Sequence, residues 1–225
     1  MIPWVLLDTV AIPGSADPIR LLRRGQEFSI RIGTAELMNS RLSGSEESLA
    51  TLAARDLAGR PAPHVLIGGL GMGFTLRAAL AAFDGDARIS VCELIPAVVA
   101  WGRGPMAELY GASLADARVK IVEADVADII GAQRAAYDAI LLDVDNGPEG
   151  MVQAANDGLY GSRGLAAARA ALRAGGILAV WSAHPDTAFA QRLKKAGFAV
   201  TEERVRAHRG KRGAKHTIWL GRKGA

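Results

Sequence analysis

The sequence predicts an α/β protein: a doubly wound, mostly parallel sheet that ends in an antiparallel hairpin and is preceded by a small β region. Three observations predict it. After Pro63, apolar runs of strand length alternate with helix-period segments on short connections, and parallel strands joined this way need crossovers on both faces of a sheet. The last two apolar stretches, FAVTEERV and KHTIWLG, follow each other with no room for a helix, so they pair as a hairpin. Residues 1–43 carry period-2 patterning instead, with Phe28, Ile30 and Ile32 alternating, which separates a small β region (1–43) from the doubly wound domain (44–225).

In order, IRLL and EFSIRI read as antiparallel strands joined at Arg24-Gly25-Gln26. EESLATLAARDLAG reads as a helix, with acids in its first turn and Gly59 past its end. HVLIG is then a strand, GFTLRAALAAF a helix, RISVCEL a strand, and PAVVAWGRGPMAELY a helix opened by proline. VKIVEA and DAILLD are strands with VADIIGAQ between them. GLAAARAALRAGG reads as a helix stopped by paired glycines, ILAVWSA as a strand, and DTAFAQRLKKAG as a helix.

With 225 residues, half of them apolar and 22% charged, the chain is an ordinary globular one able to bury a sizeable core. MIPWVLLDTVAIP has no basic start or small-residue cleavage site, and no apolar run reaches the ~18 residues that span a bilayer. The expectation is a protein with no membrane partner. Cys92 is the single cysteine, so no internal disulfide forms, and a cytoplasmic location follows; the residue itself reads as a small buried strand position. The net charge of +4 is local: eight of the 27 basic residues lie between 204 and 223 with no acid among them, leaving 19 basic against 23 acidic elsewhere. Within it the run RAHRGKRGAKH reads as a solvated loop between strands rather than a nucleic-acid surface. His64, His184, His208 and His216 have no ligand spacing, so no metal is expected. Trp101 and Trp181 read as core or crevice walls, with a tryptophan after a strand also able to flank an adenine.

Ligands of such sheets lie beyond the carboxyl ends of the strands, so the residues just after each strand are the candidates. Gly68, Gly69, Gly71 and Gly73 form a turn from strand to helix in which backbone can approach a ligand. Phe74 stands where a dinucleotide G-x-G-x-x-G pattern read from Gly69 needs glycine, which disfavours a pyrophosphate. Glu93 closes the next strand about 20 residues on, the spacing at which an acid reaches a ribose diol. Asp125 follows the strand after that, where a side-chain acceptor can meet an adenine amino group and the Val126 amide a ring nitrogen; it is equally a helix N-cap. Leu94 completes the nucleoside set. Asp143 and Asp145, after DAILL, bring two carboxylates to the same crevice, where they can hold an amine and accept its proton.

GGLGMG, VCELIPAVV, VEADVADII, YDAILLDVDNGP and GSEESLATLA together resemble the spermidine synthase family of polyamine aminopropyltransferases, on the class I S-adenosylmethionine-dependent transferase fold. The resemblance spans nearly the whole chain. It implies decarboxylated S-adenosylmethionine as donor, a small cationic amine as acceptor, and a homodimer. Glu93 matches the ribose acid, Asp125 the adenine-side acid, and Asp143 the aspartate that acts as base or orients the amine, with Asp145 anchoring it. Glu46, Glu47 and Tyr160 are the further acceptor-side candidates. The chain departs from the family in three places. Its glycine turn, Leu70-Gly71-Met72, lacks the aspartate that holds the donor's amino group; Ser45-Glu46-Glu47 replaces Tyr-His-Glu; and the Asp-Ser-x-Asp-Pro loop becomes Asp143-Val144-Asp145-Asn146. A turn without an acid better tolerates the carboxylate of S-adenosylmethionine itself, so a small-molecule methyltransferase is the alternative, followed by a non-catalytic nucleoside- or RNA-binding protein.

Overall fold

A computed structural model describes residues 2–12, 17–144, 158–207 and 214–224. Four antiparallel strands come first: β1 (Val5–Val10), β2 (Ile19–Arg24), β3 (Glu27–Ile32) and β4 (Ala35–Asn39), in the spatial order of the chain. Gly25 makes the β2–β3 turn with φ +61°, a left-handed conformation that costs glycine little. The inward residues Ile19, Leu21, Phe28 and Ile30 join the core of the larger sheet, and Trp101 Nε1 donates to Asp8 Oδ2 at 2.7 Å.

The remaining elements are α1 (Gly44–Asp56), β5 (His64–Gly68), α2 (Phe74–Ala82), β6 (Arg88–Glu93), α3 (Pro96–Arg103), α4 (Ala107–Tyr110), β7 (Val119–Glu123), α5 (Val126–Gly131), β8 (Tyr137–Leu142), α6 (Ser162–Ala171), β9 (Leu172–Ser182), α7 (Thr187–Lys195), β10 (Phe198–Arg206) and β11 (Lys215–Lys223). Their strands form one seven-stranded sheet, β10-β11-β9-β8-β5-β6-β7, parallel from β9 to β7 and closed by the antiparallel β10–β11 hairpin. Alternate residues of the parallel strands face opposite layers. Val65, Ile67, Ala139 and Leu141 pack under Leu49, Ala53 and Leu76 of α1 and α2. Leu66, Ile140 and Leu142 pack under Ile130, Leu165 and Phe189 of the helices on the other face. The chain runs outward from β5 to β7, then crosses back to β8 on the other side of β5, so strand order reverses between β5 and β8.

Two elements differ from the sequence reading. The helix expected over PAVVAWGRGPMAELY breaks after Arg103, because Pro105 has no N–H to continue the ladder and restricts Gly104 before it. The glycines expected to stop a helix after Arg173 lie instead inside β9, which starts at Leu172. There the β8–β9 register shifts between Tyr137 and Ala139, and a Cβ on Gly176 would stand 2.9 Å from Arg173 O and 3.1 Å from Asp138 O. Gly175, at φ +70°, completes this bulge.

Candidate active site at the sheet's carboxyl edge

The glycine turn leaves β5 at Gly68 and enters α2 at Phe74. Gly69, Gly71 and Gly73 have φ of +88°, +50° and +75°, a region other residues adopt only under strain. Each is also crowded by the protein itself. A Cβ would stand 2.7 Å from Asp143 O at Gly69, 2.9 Å from Met38 Sδ at Gly71, and 2.5 Å from the Tyr110 ring at Gly73. The Tyr110 hydroxyl donates to Gly71 O at 2.5 Å and fixes the turn's middle. Gly68 is packed by Leu142 and Val126. Internal packing therefore accounts for all four glycines, and what the turn offers a ligand is its backbone.

Glu93, the acid predicted to meet a ribose, is buried and gripped by backbone. Its Oε2 accepts from Leu70 N and its Oε1 from Ile95 N, both at 2.9 Å. Burial raises its pKa above the ordinary carboxylate value, while these amides and those of Gly71 and Leu94 pull the other way. The amides that hold Glu93 fix its carboxylate at the strand tip beside the glycine turn. Next to it Leu94 stands 62% exposed, an apolar side chain at a strand tip. β6 and β7 pair in parallel with Glu93 opposite Glu123, which brings exposed Asp125 to the neighbouring tip. Asp125 Oδ1 accepts from Ala127 N at 2.7 Å and caps α5, and Val126 is buried against Gly68. Behind these acids Cys92 is buried and donates to Ala124 O; burial, then the charges of Asp125 and Glu93, push its thiol up to about 11, so it stays protonated.

On the other side of β5 stands Asp143, its amide on Gly68 O and its Oδ2 taking the Thr75 hydroxyl at 3.0 Å. Thr75 comes from the first turn of α2, and its hydroxyl also lies 3.4 Å from Glu46 O, joining α2 to α1. The Glu46 carboxylate faces Asp143. Burial first, and repulsion by Glu46 second, push Asp143 up to about 7 against the opposing Thr75 bond. Burial raises Glu46 as well, against the hydrogen bond from Ser45, whose hydroxyl donates to Glu46 Oε2 at 2.6 Å. Among the described residues neither acid has an ion pair. Glu47 turns aside to the Ser43 hydroxyl at 3.0 Å. Tyr160 is buried, edge-on to Phe189, with its hydroxyl 3.4 Å from Val144 O, so it lies beneath the start of the acidic loop. Asp145 lies outside the described residues.

Sequence reasoning gave no site role to Met38, Tyr110, Thr75, Ser45 or His216. For the last a signal existed: period 2 along β11 puts His216 on the face of Ile218 and Leu220, the face α1 covers. Its Nδ1 lies 2.8 Å from Ser45 Oγ. Among the described residues no group of three or more His, Cys, Asp or Glu is placed to hold a metal ion, and no helix is long and apolar enough to cross a membrane.

No protein-family model and no curated protein matches the chain. Solved structures do. Spermidine synthase from Thermotoga maritima is similar over 97% of this chain and 73% of its own, with TM-score 0.76 and 17% identity. A spermidine synthase in complex with the transition-state analogue AdoDATO is similar over 97% and 72%, with TM-score 0.75 and 17% identity. A precorrin-6y C5,15-methyltransferase from Geobacter metallireducens GS-15 is similar over 77% of this chain and 86% of its own, with TM-score 0.54 and 16% identity. Since the spermidine synthase likeness takes in the N-terminal strands as well as the large sheet, the architecture of this chain is that of the spermidine synthase structures, on a class I S-adenosylmethionine transferase fold.

Proposed function

We propose that the protein is an aminopropyltransferase that uses decarboxylated S-adenosylmethionine and a small diamine or polyamine. The observation that carries the reading is the pair Asp143 and Glu46, two acids facing one another where strand order reverses, with no cation paired to either among the described residues. A like-charged pair in a poorly solvated crevice is relieved by an incoming cation, and an ammonium is the complementary group. Once bound, the amine must shed a proton to become a nucleophile. A carboxyl with proton affinity near neutrality accepts that proton with little mismatch, which suits Asp143 to the task.

With that proton already on Asp143, the neutral nitrogen attacks the propyl carbon bound to the sulfonium; a C–N bond forms, the C–S bond breaks with its electron pair passing to sulfur, and the alkylated nitrogen takes up the positive charge as an ammonium. Positive charge thereby moves from sulfur toward nitrogen, and the Glu46 carboxylate beside the protonated Asp143 stabilises it on the way. Glu93, fixed by the turn amides, and Asp125 at the next tip supply acceptors for a nucleoside, and exposed Leu94 supplies an apolar surface. Asp145 is the second acid proposed to anchor the amine.

One observation favours a second reading. Leu70 and Met72, in the turn, are buried and apolar, so the turn presents no acid to a donor's amino group. That suits S-adenosylmethionine and methyl transfer. Calorimetry with decarboxylated S-adenosylmethionine, S-adenosylmethionine and methylthioadenosine decides. Tighter binding of the decarboxylated donor, with turnover on a diamine, supports aminopropyl transfer; tighter binding of the carboxylated donor supports methylation; no binding of any of the three overturns both.

A further inference from the structure

We infer that His216 is a positioning residue of the acceptor site: through the Ser45 hydroxyl it sets the orientation and charge of Glu46, and so the charge that faces Asp143. The role given to Glu46 and Asp143 rests on the function proposed above; the hydrogen-bonded chain does not.

Three groups from two elements make the chain. His216 Nδ1 lies 2.8 Å from Ser45 Oγ, and Ser45 Oγ lies 2.6 Å from Glu46 Oε2. The junction is pinned at the backbone, since Gly44 N donates to Ala207 O at 3.0 Å and a Cβ on Gly44 would stand 3.0 Å from Arg206 O. The start of α1 is thus tied to the β10–β11 hairpin that carries His216. A hydroxyl has one hydrogen, so the chain has two polarities only. With Glu46 ionised, Ser45 donates to the carboxylate and must accept from a protonated Nδ1. With Glu46 protonated, the acid donates to Ser45, and Ser45 donates to a bare Nδ1. Passing from the second state to the first moves one proton from Glu46 to the ring and leaves a carboxylate and an imidazolium, with every hydrogen bond kept. A histidine that merely filled core space would need no such match of partners.

The surroundings keep the ring responsive. It packs edge-on to Trp181 at 4.8 Å between centroids, faces Ser45 and Glu46 from α1, and pairs across the hairpin with Val205. Burial lowers its pKa, and His184, just past β9, lowers it further. Glu47 is turned to Ser43 instead, so Glu46 is the acid that Ser45 connects to the ring.

The test uses the full chain labelled with ¹⁵N-histidine, without substrate, and reads the tautomer and titration of His216 by NMR in wild type, Ser45→Ala, Ser45→Thr and Glu46→Gln. Protonated Nδ1 in wild type and in Ser45→Thr, with loss of that tautomer and a fall of the midpoint by about half a pH unit or more in the other two, is the expected result. The same tautomer and midpoint in all four proteins would overturn the inference. A second readout is the pH profile of kcat/KM with decarboxylated S-adenosylmethionine and a diamine. Ser45→Ala and His216→Ala leave Glu46 protonated over a wider range, remove its repulsion from Asp143, and shift the acid limb to lower pH; an unmoved limb contradicts the inference. If no amine is turned over, the proposed function fails while the NMR result still decides the chain.

Discussion

Two aspartates five residues apart, at opposite ends of β8, have opposite surroundings. Asp138, at the amino end, is 1% exposed and fully engaged: Arg60 Nε lies 2.6 Å from Oδ1, and Arg173 Nη1 and His64 N lie 2.6 and 2.7 Å from Oδ2. Asp143, just past the carboxyl end, has one hydroxyl and faces another carboxylate. The same side chain on one strand is thus neutralised at one edge of the sheet and left like-charged at the other. A fold gains nothing from the second arrangement unless a ligand completes it, and that contrast supports the site proposed above.

Breaking the pair separates the two roles. Asp143→Asn removes the proposed proton acceptor and keeps the shape, so turnover is expected to fall by about 10²–10⁴-fold, with nucleoside affinity retained and no loss of stability. Steady-state rates and donor calorimetry check it, and undiminished turnover would take Asp143 out of catalysis. Asp138→Ala should do the reverse. It strands the His64 amide and leaves two guanidiniums unpaired, but both arginines still reach water. The expected loss is therefore about 2–3 kcal/mol in urea unfolding, with donor affinity intact. A variant as stable as wild type would mean that the amino-end ion pairs contribute nothing.

The frame was readable because periodicity reports burial directly: the change from period 2 to helical spacing at Ser45, the alternation after Pro63 and the helixless final pair all correspond to elements that exist. Reading failed where a local signal had a non-local cause. Gly175 and Gly176 look like a helix stop, yet they sit opposite Asp138 in a strand bulge that no pattern in their own segment announces. Of the site, residues directly after strands could be named, since topology alone takes Gly68, Glu93, Asp125 and Asp143 to one edge. What these residues do there depends on groups far along the chain. The turn glycines answer to Met38 and Tyr110, Glu93 is held by the turn's own amides, and Glu46 is tied to a histidine 170 residues away.

The smallest expected effect lies in how stability depends on pH, and it sharpens the contrast between the two edges. Asp143 in the folded chain titrates at about 7, above the 3.8 of an unperturbed aspartate. Between those values the folded state holds a proton that the unfolded state has lost, so unfolding releases it and stability falls as pH rises through this window. Glu46 and Glu93, both raised by burial, add slopes of the same sign. Asp143→Asn should flatten the curve between pH 4 and 7 by about 1–2 kcal/mol, less than full burial would give because water reaches part of the side chain. Glu46 and Glu93 keep the remaining slope. The mutant ought therefore to be the more stable protein at pH 8 and to lose that advantage at pH 4. Urea midpoints measured across this range would show it, and parallel curves for the two proteins would mean that Asp143 ionises as freely in the folded chain as in the unfolded one.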